Sequence, residues 1–273
     1  MITLAAHDEP LTTPSRAETE PATLDDPDGD ARCGKLSAMA DVNGPVQALR
    51  VAIATADGAT ALRVLARGDW DAPLQLAGEG VLTALEQGCA GASDWAQRSA
   101  AALRERDWVG DAELADQIEA LLGDASLAGL TPLAVDLEEV AGILEGDPTH
   151  CGGRIDLVTG EVWPVFAFED AGDQEDDPPE RWLFVDGEGS RDGYRDMTEF
   201  LSTITDQGHI DRLEAALSGH GAFRRFKDVL VEWHGELDRW YVFADERQRG
   251  RARAWLAAVG YAARPVASAN RGT

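Results

Sequence analysis

Seven cationic side chains near the C-terminus carry the most pointed chemical signal in this chain. Arg224, Arg225 and Lys227 fall within four residues, and Arg247, Arg249, Arg251 and Arg253 alternate along seven. Guanidinium groups at such density suit an anionic counterpart, because each offers a planar fork of donors to carboxylate or phosphate. Arg247 with Arg251, and Arg249 with Arg253, are spaced i,i+4. On a helix such like-charged pairs repel at a cost of roughly a few tenths of a kcal/mol each. Something negative must offset that repulsion. Three sources compete: an acidic loop of the same molecule, nucleic-acid phosphate, or an acidic protein partner.

Other reactive residue types do not assemble into a site. His209, His220 and His234 lie eleven and fourteen residues apart, which matches no compact zinc spacing, and no HExxH is present. The carboxylates Glu169, Asp170, Asp173, Glu175, Asp176 and Asp177 lack the central glycine and terminal glutamate of a calcium loop. Cys151 follows His150 and precedes two glycines, but adjacent residues rarely orient as nucleophile and base. Neither a GxSxG elbow nor a glycine-rich phosphate loop occurs. The reading therefore assigns no catalytic residue, no cofactor and no metal.

The chain has 273 residues and a formal net charge of −26. Such an excess disfavours attraction of the whole molecule to nucleic acid or anionic lipid. The charge is uneven: residues 221–264 hold nine cations against six anions, so the remainder carries the entire deficit. Sign asymmetry of this kind points to an interaction face. Three scattered cysteines without a CxxC suit a reducing compartment. No apolar run approaches the ~20 residues of a membrane span, and no secretory leader is visible at the N-terminus. A cytoplasmic location is expected.

The elements that must position these residues follow from periodicity. Residues 1–44 are poor in large apolar side chains and are expected to be a disordered acidic tail, with Met39 an alternative start. Residues 45–123 read as helical. Asp69-Trp70 and Asp107-Trp108 lie 38 residues apart, and around them Leu65 matches Leu103, Leu76 matches Leu114 and Ala77 matches Ala115. That is the pattern of a two-copy helical-hairpin repeat, a kind of unit that usually binds other proteins. Residues 124–132 read as a linker. Asp136 can cap a short helix through Leu137, Val140 and Leu144. Thr159-Gly160 between two apolar runs signals a hairpin whose second strand, holding Pro164, must be an edge. An acidic loop over 169–180 precedes a third strand at Arg181–Val185. Helices then follow, with Tyr194, Met197, Leu201 and Ile204 on one face, Ile210, Leu213 and Leu217 on the next, and Phe223, Phe226, Leu230 and Trp233 on the third. The last helical segment contains Trp240, Trp255 and Leu256. Asp245 with Gln248 reads there as a cap that breaks it.

The ordered motifs VDLEEVAGILE, RIDLVTGEVWPVF, GYRDMTEFL, GAFRRFKDVL and WYVFADERQR resemble an uncharacterised bacterial protein family, number 0158 of the uncharacterised series. The resemblance runs from about Leu133 to Gly260. It implies an α+β module and brings no catalytic residues. Gln248 and Arg253 stand where that family tends to be apolar. The expected fold is thus α+β: an N-terminal helical-hairpin region, then a family-like domain over 133–264 in which a small antiparallel sheet packs with a C-terminal helical bundle, then a disordered tail over 265–273. The expected function is a non-enzymatic interaction module. Its partner, a protein, would dock on the hairpins and on an exposed basic face formed by Arg224, Arg225, Lys227, Arg247, Arg249, Arg251 and Arg253. Nucleic acid on that face is the alternative, and an enzyme with a site between sheet and helices is a third reading. Oligomeric state stays open.

Overall fold

A computed structural model describes residues 44–123, 127, 129–149, 152–165, 167 and 178–266. Residues 1–43 of the expected tail over 1–44, most of the acidic loop (169–177), His150, Cys151 and residues 267–273 lie outside the described residues, while Gly44 is helical.

Spaced leucines and alanines build the N-terminal half. Helix α1 (44–54) buries Leu49, Ala52 and Ile53 on one side. Asp57 caps α2 (Gly58–Leu65) by accepting from the Thr60 amide at 2.9 Å. Helix α3 (Leu74–Glu86) is buried almost all round, which places it at the centre of this half. Helices α4 (Ala92–Arg106) and α5 (Asp111–Leu122) complete the second hairpin. The matched positions Leu65 and Leu103, Leu76 and Leu114, and Ala77 and Ala115 all enter one core. Trp70 joins them, its indole N–H donating to the Leu65 carbonyl at 3.0 Å.

Strand β1 (Thr131–Ala134) leads to α6 (Leu137–Leu144), which Asp136 caps through the Glu138 amide as the sequence suggested. Strands β2 (Gly152–Asp156), β3 (Val162–Pro164) and β4 (Trp182–Asp186) form an antiparallel sheet in the order β3-β2-β4. Gly153 faces Pro164, and Ile155 faces Val162 on one side and Leu183 on the other. Pro164 therefore sits on an edge strand, where its missing N–H costs no ladder bond. Helices α7 (Arg191–Leu201), α8 (Gln207–Leu217) and α9 (Ala222–Leu230) follow. The chain then runs through α10 (His234–Ala258) and ends in β5 (Tyr261–Arg264), which pairs in parallel with β1. The fold is mixed α+β: helices with a small antiparallel sheet and one parallel strand pair.

Three expectations need correction. Thr131 and Pro132 belong to β1 rather than to a linker, and β5 was not anticipated. Four-residue strands with a distant partner carry too little local pattern to announce themselves. Helix α10 is continuous through Asp245. Instead of capping an amide, the Asp245 carboxylate accepts from Arg249, one turn on, and from Arg50 of α1. Finally, Phe200 lies at the centre of the C-terminal helical core, edge-on to Phe226 and Trp240, where the sequence reading had aligned Tyr194. Tyr194 is exposed.

Candidate functional site

Helix α10 is about 37 Å long at ~1.5 Å per residue, and it touches the hairpin region, α6, β5 and the C-terminal helices. Leu237, Trp240 and Phe243 pack with α7, α8 and α9, while Ala252, Trp255 and Leu256 pack with α6 and the sheet. Between these two apolar stretches the helix is rich in charge. It is there that four of the seven expected partner-binding cations sit.

None of those four lies on an open cationic face. Arg249 and Arg253 turn toward α3, where both bond Glu79, Arg249 Nη1 at 3.0 Å and Arg253 Nη2 at 3.1 Å. Arg253 is 1% exposed and also donates to the side-chain oxygens of Gln75 and Gln117, each at 2.9 Å. Arg249 reaches Asp245 at 3.0 Å and Glu138 of α6 as well. On the far side of the helix, Arg247 and Arg251 both bond Asp196 of α7, at 3.1 and 2.8 Å. Arg247 adds Glu199 at 2.6 Å, and Arg251 adds Glu145 at 2.6 Å. Each i,i+4 arginine pair thus closes on one buried carboxylate. The counter-charge is supplied within the molecule, largely by helices distant in sequence. The expectation of an exposed basic face on this helix is therefore corrected.

Burial and charge act differently on the two inner arginines. Burial works against the charge of Arg249, but Glu79 and Asp245 more than offset it and hold its pKa above the ordinary value. At Arg253 burial prevails over Glu79, and the neighbouring Arg249 lowers the pKa further.

Glu246 completes the junction. Its carboxylate accepts from the amides of Gln75 at 2.6 Å and Leu76 at 3.1 Å, and from Arg106 Nη1 at 3.0 Å. Helix α3 begins at Pro73, which offers no side-chain cap. A carboxylate from α10 serves instead, well placed against the positive end of α3. Burial pushes the Glu246 carboxyl up to about 7, against the pull of Arg106 and the two amides. Arg106 in turn grips Asp111 with two bonds of 2.7 and 2.8 Å. Backbone contact makes this approach possible. A Cβ on Gly110 would lie 2.1 Å from the Gly250 carbonyl oxygen, and one on Gly250 would lie 2.1 Å from that of Val109. Gly110 also has φ +88°, a left-handed conformation that favours glycine.

The remaining three cations lie on α9. Arg224 is exposed, its side chain 89% accessible, with Asp228 at 3.7 Å beside it. Lys227 is exposed. Arg225 is directed back onto the end of α8, donating to the carbonyls of Ala216 at 3.1 Å and Ser218 at 2.6 Å, so it acts as a C-terminal cap. His209 stacks on Trp233 with ring centroids 3.6 Å apart. Among the described residues no group of three or more His, Cys, Asp or Glu is placed to hold a metal. No helix among them is long and apolar enough to cross a membrane.

Sequence reasoning missed a concave surface. A groove of about 490 Å³ runs between the hairpin turns and α10. Trp108, Phe200, Val242 and Phe243 give it an apolar floor, with Val46 and Pro73 at one side. Trp108 meets Phe243 edge-on at 5.3 Å, and Phe243 lies 5.6 Å from Phe200. The ring of Trp108 already carries the guanidinium groups of Arg106 at 4.3 Å and Arg247 at 5.0 Å. The two tryptophans of the hairpin turns therefore differ in fate: Trp70 is buried and Trp108 lines the groove. A smaller cleft of about 340 Å³ near Trp255 includes Glu145, Arg247 and Arg251, whose charges are engaged as described above.

The sequence profile of an uncharacterised protein family, UPF0158, matches residues 169–266. A UPF0158 protein of Pseudomonas aeruginosa is 30% identical over 132 residues, which span 46% of this chain and 84% of that relative. No solved structure matches the chain.

Proposed function

This chain belongs to the uncharacterised protein family UPF0158, and we propose that it acts as a non-enzymatic interaction module that docks another protein in the groove beside α10. The groove itself carries this reading. It is a concave, largely apolar surface with aromatic residues from both the hairpin region and the C-terminal helices, the composition from which protein-binding anchor sites are made. We read the two hairpins as a pair of stacked repeat units, a reading supported by the shared burial of their matched leucines and alanines. A cytoplasmic setting fits the scattered cysteines.

Removing residues 45–123 would strip Glu246 and Arg253 of their side-chain partners and Arg249 of Glu79, so a point substitution is the cleaner test. Val242 lies half-buried in the groove. Affinity capture with the full chain should recover specific proteins that Val242→Gln loses. The same set recovered by both would rule out the groove as the docking surface.

A second reading places nucleic acid on α9, and it is favoured by the exposure of Arg224 and Lys227. Arg224→Glu with Lys227→Glu should then abolish a gel shift seen at low salt. An unchanged shift would reject it.

A further inference from the structure

The walls of the groove carry charge that its floor does not. Asp69 stands on the hairpin side and Asp238 on the α10 side. Among the described residues neither carboxylate is in an ion pair; Asp69 accepts only from the Asp71 amide at 3.1 Å. Among the described residues the rim cation is Arg239, which is already committed, to Glu236 at 2.6 Å and to the Thr203 carbonyl at 2.9 Å. The ring faces of Trp108 and Phe200 are likewise taken by guanidinium groups, so what the floor offers a partner is apolar contact. Around this lies a molecule of net charge −26.

We infer that the groove selects a basic amphipathic segment of another protein. Its apolar side chains enter between Trp108, Val242 and Phe243, and its lysines or arginines reach Asp69 and Asp238. Helix-in-groove recognition works this way, with apolar anchors for affinity and charge for partner choice. The overall negative field speeds the approach of a cationic segment and repels nucleic acid. The inference rests on the groove being a docking surface, as proposed above.

Three fluorescent synthetic peptides of equal length test it by anisotropy: an amphipathic Leu/Lys helix, its Leu/Glu counterpart, and a Lys/Ser peptide lacking apolar residues. The full chain should bind the Leu/Lys peptide in preference to both others. Asp69→Asn with Asp238→Asn should weaken that binding about tenfold, the sum expected from two exposed ion pairs, and Val242→Gln should weaken it as well. Both aspartates lie away from the core, and far-UV circular dichroism checks that each variant is folded. If the Lys/Ser peptide binds equally well, or the double aspartate variant changes nothing, the inference is overturned. If the Leu/Glu peptide binds as tightly and Val242→Gln still weakens it, the charge selection is wrong while the groove remains a docking surface. Failure of the Leu/Lys peptide to bind, or indifference to Val242→Gln, removes both.

Discussion

Helices α9 and α10 carry the same kind of sequence signal and meet opposite fates. On α9, Phe226 and Leu230 form a clear apolar stripe, and Arg224 and Lys227 are left in water. On α10 the apolar residues are scattered and charges occur on several sides, so the cations cannot be sorted into an outer face. A helix that is polar all round either bridges other parts of a structure or is held by charge pairs; α10 does both. An arginine cluster thus says little about exposure until the apolar pattern of its helix has been read beside it. Where the stripe is clean, Arg224 and Lys227 stay on the outside and Arg225 caps the preceding helix. Where it is absent, Arg247, Arg249, Arg251 and Arg253 are drawn inside, and of the α10 arginines Arg239 stays at the surface.

Glu79 offers the sharpest way to break this contrast. Glu79→Ala would leave Arg249 and Arg253 buried without their shared carboxylate, and a buried pair broken from one side costs about 3–5 kcal/mol. Urea denaturation should show that loss, whereas Arg224→Ala should change stability by less than about 0.5 kcal/mol. Equal effects at the two sites would remove the distinction between the helices.

Gly250→Ala comes next. The added methyl would meet the Val109 carbonyl, and overpacking of this sort costs roughly 1–3 kcal/mol. A thermal melt unchanged by the substitution would show that α10 does not press on the hairpin turn. Asp196→Ala should fall at or below that range in a urea titration, because Arg247 and Arg251 keep Glu199 and Glu145 and are less deeply buried than Arg253.

The pH dependence should separate the α10 junction from the sheet. Glu246 in the fold holds its proton to about pH 7, while an ordinary glutamate releases it near 4.5. Between those values the folded state binds more protons, so this group's contribution falls as pH rises across the window. Glu246→Gln should abolish that slope, even though it lowers stability by spoiling the cap on α3. Asp156 of β2 behaves in the opposite sense. Burial favours its neutral form, but Arg181 at 2.5 Å, the Val158 amide and Thr159 outweigh it and hold the carboxyl down to about 2. Its contribution is full above pH ~4 and is lost as pH falls through about 2. Urea titrations of the full chain and of Asp156→Asn across that range measure the term as their difference. Near neutral pH this contribution is constant, because Asp156 does not titrate there.

Much of the architecture could be read from the chain. The cap at Asp136, the hairpin turn at Thr159-Gly160 and the edge position of Pro164 each depend on a few neighbouring residues, so local pattern was enough. The matched leucines of the hairpins also marked a common core. Less of the site was legible. The i,i+4 arginine pairs called for negative charge of some kind, but nothing near them in sequence named Glu79 or Asp196, which lie 170 and 51 residues from Arg249 and Arg247. The groove left no sequence mark, because its floor is made of single aromatic residues from separate elements.

By itself, then, the sequence determined the α+β class, most helices, the three-stranded sheet and the need for negative charge opposite Arg247–Arg251 and Arg249–Arg253. Only the tertiary structure decided where that charge came from, that β1 and β5 would pair, and that Trp108 would face outward while Trp70 turned in. The reason is the range of the forces involved. Caps, turns and periodicity act over a few residues and are written in order along the chain. The sharing of one carboxylate by two guanidinium groups depends on helices brought together by glycine contacts and apolar burial, and that proximity exists only once the chain has folded.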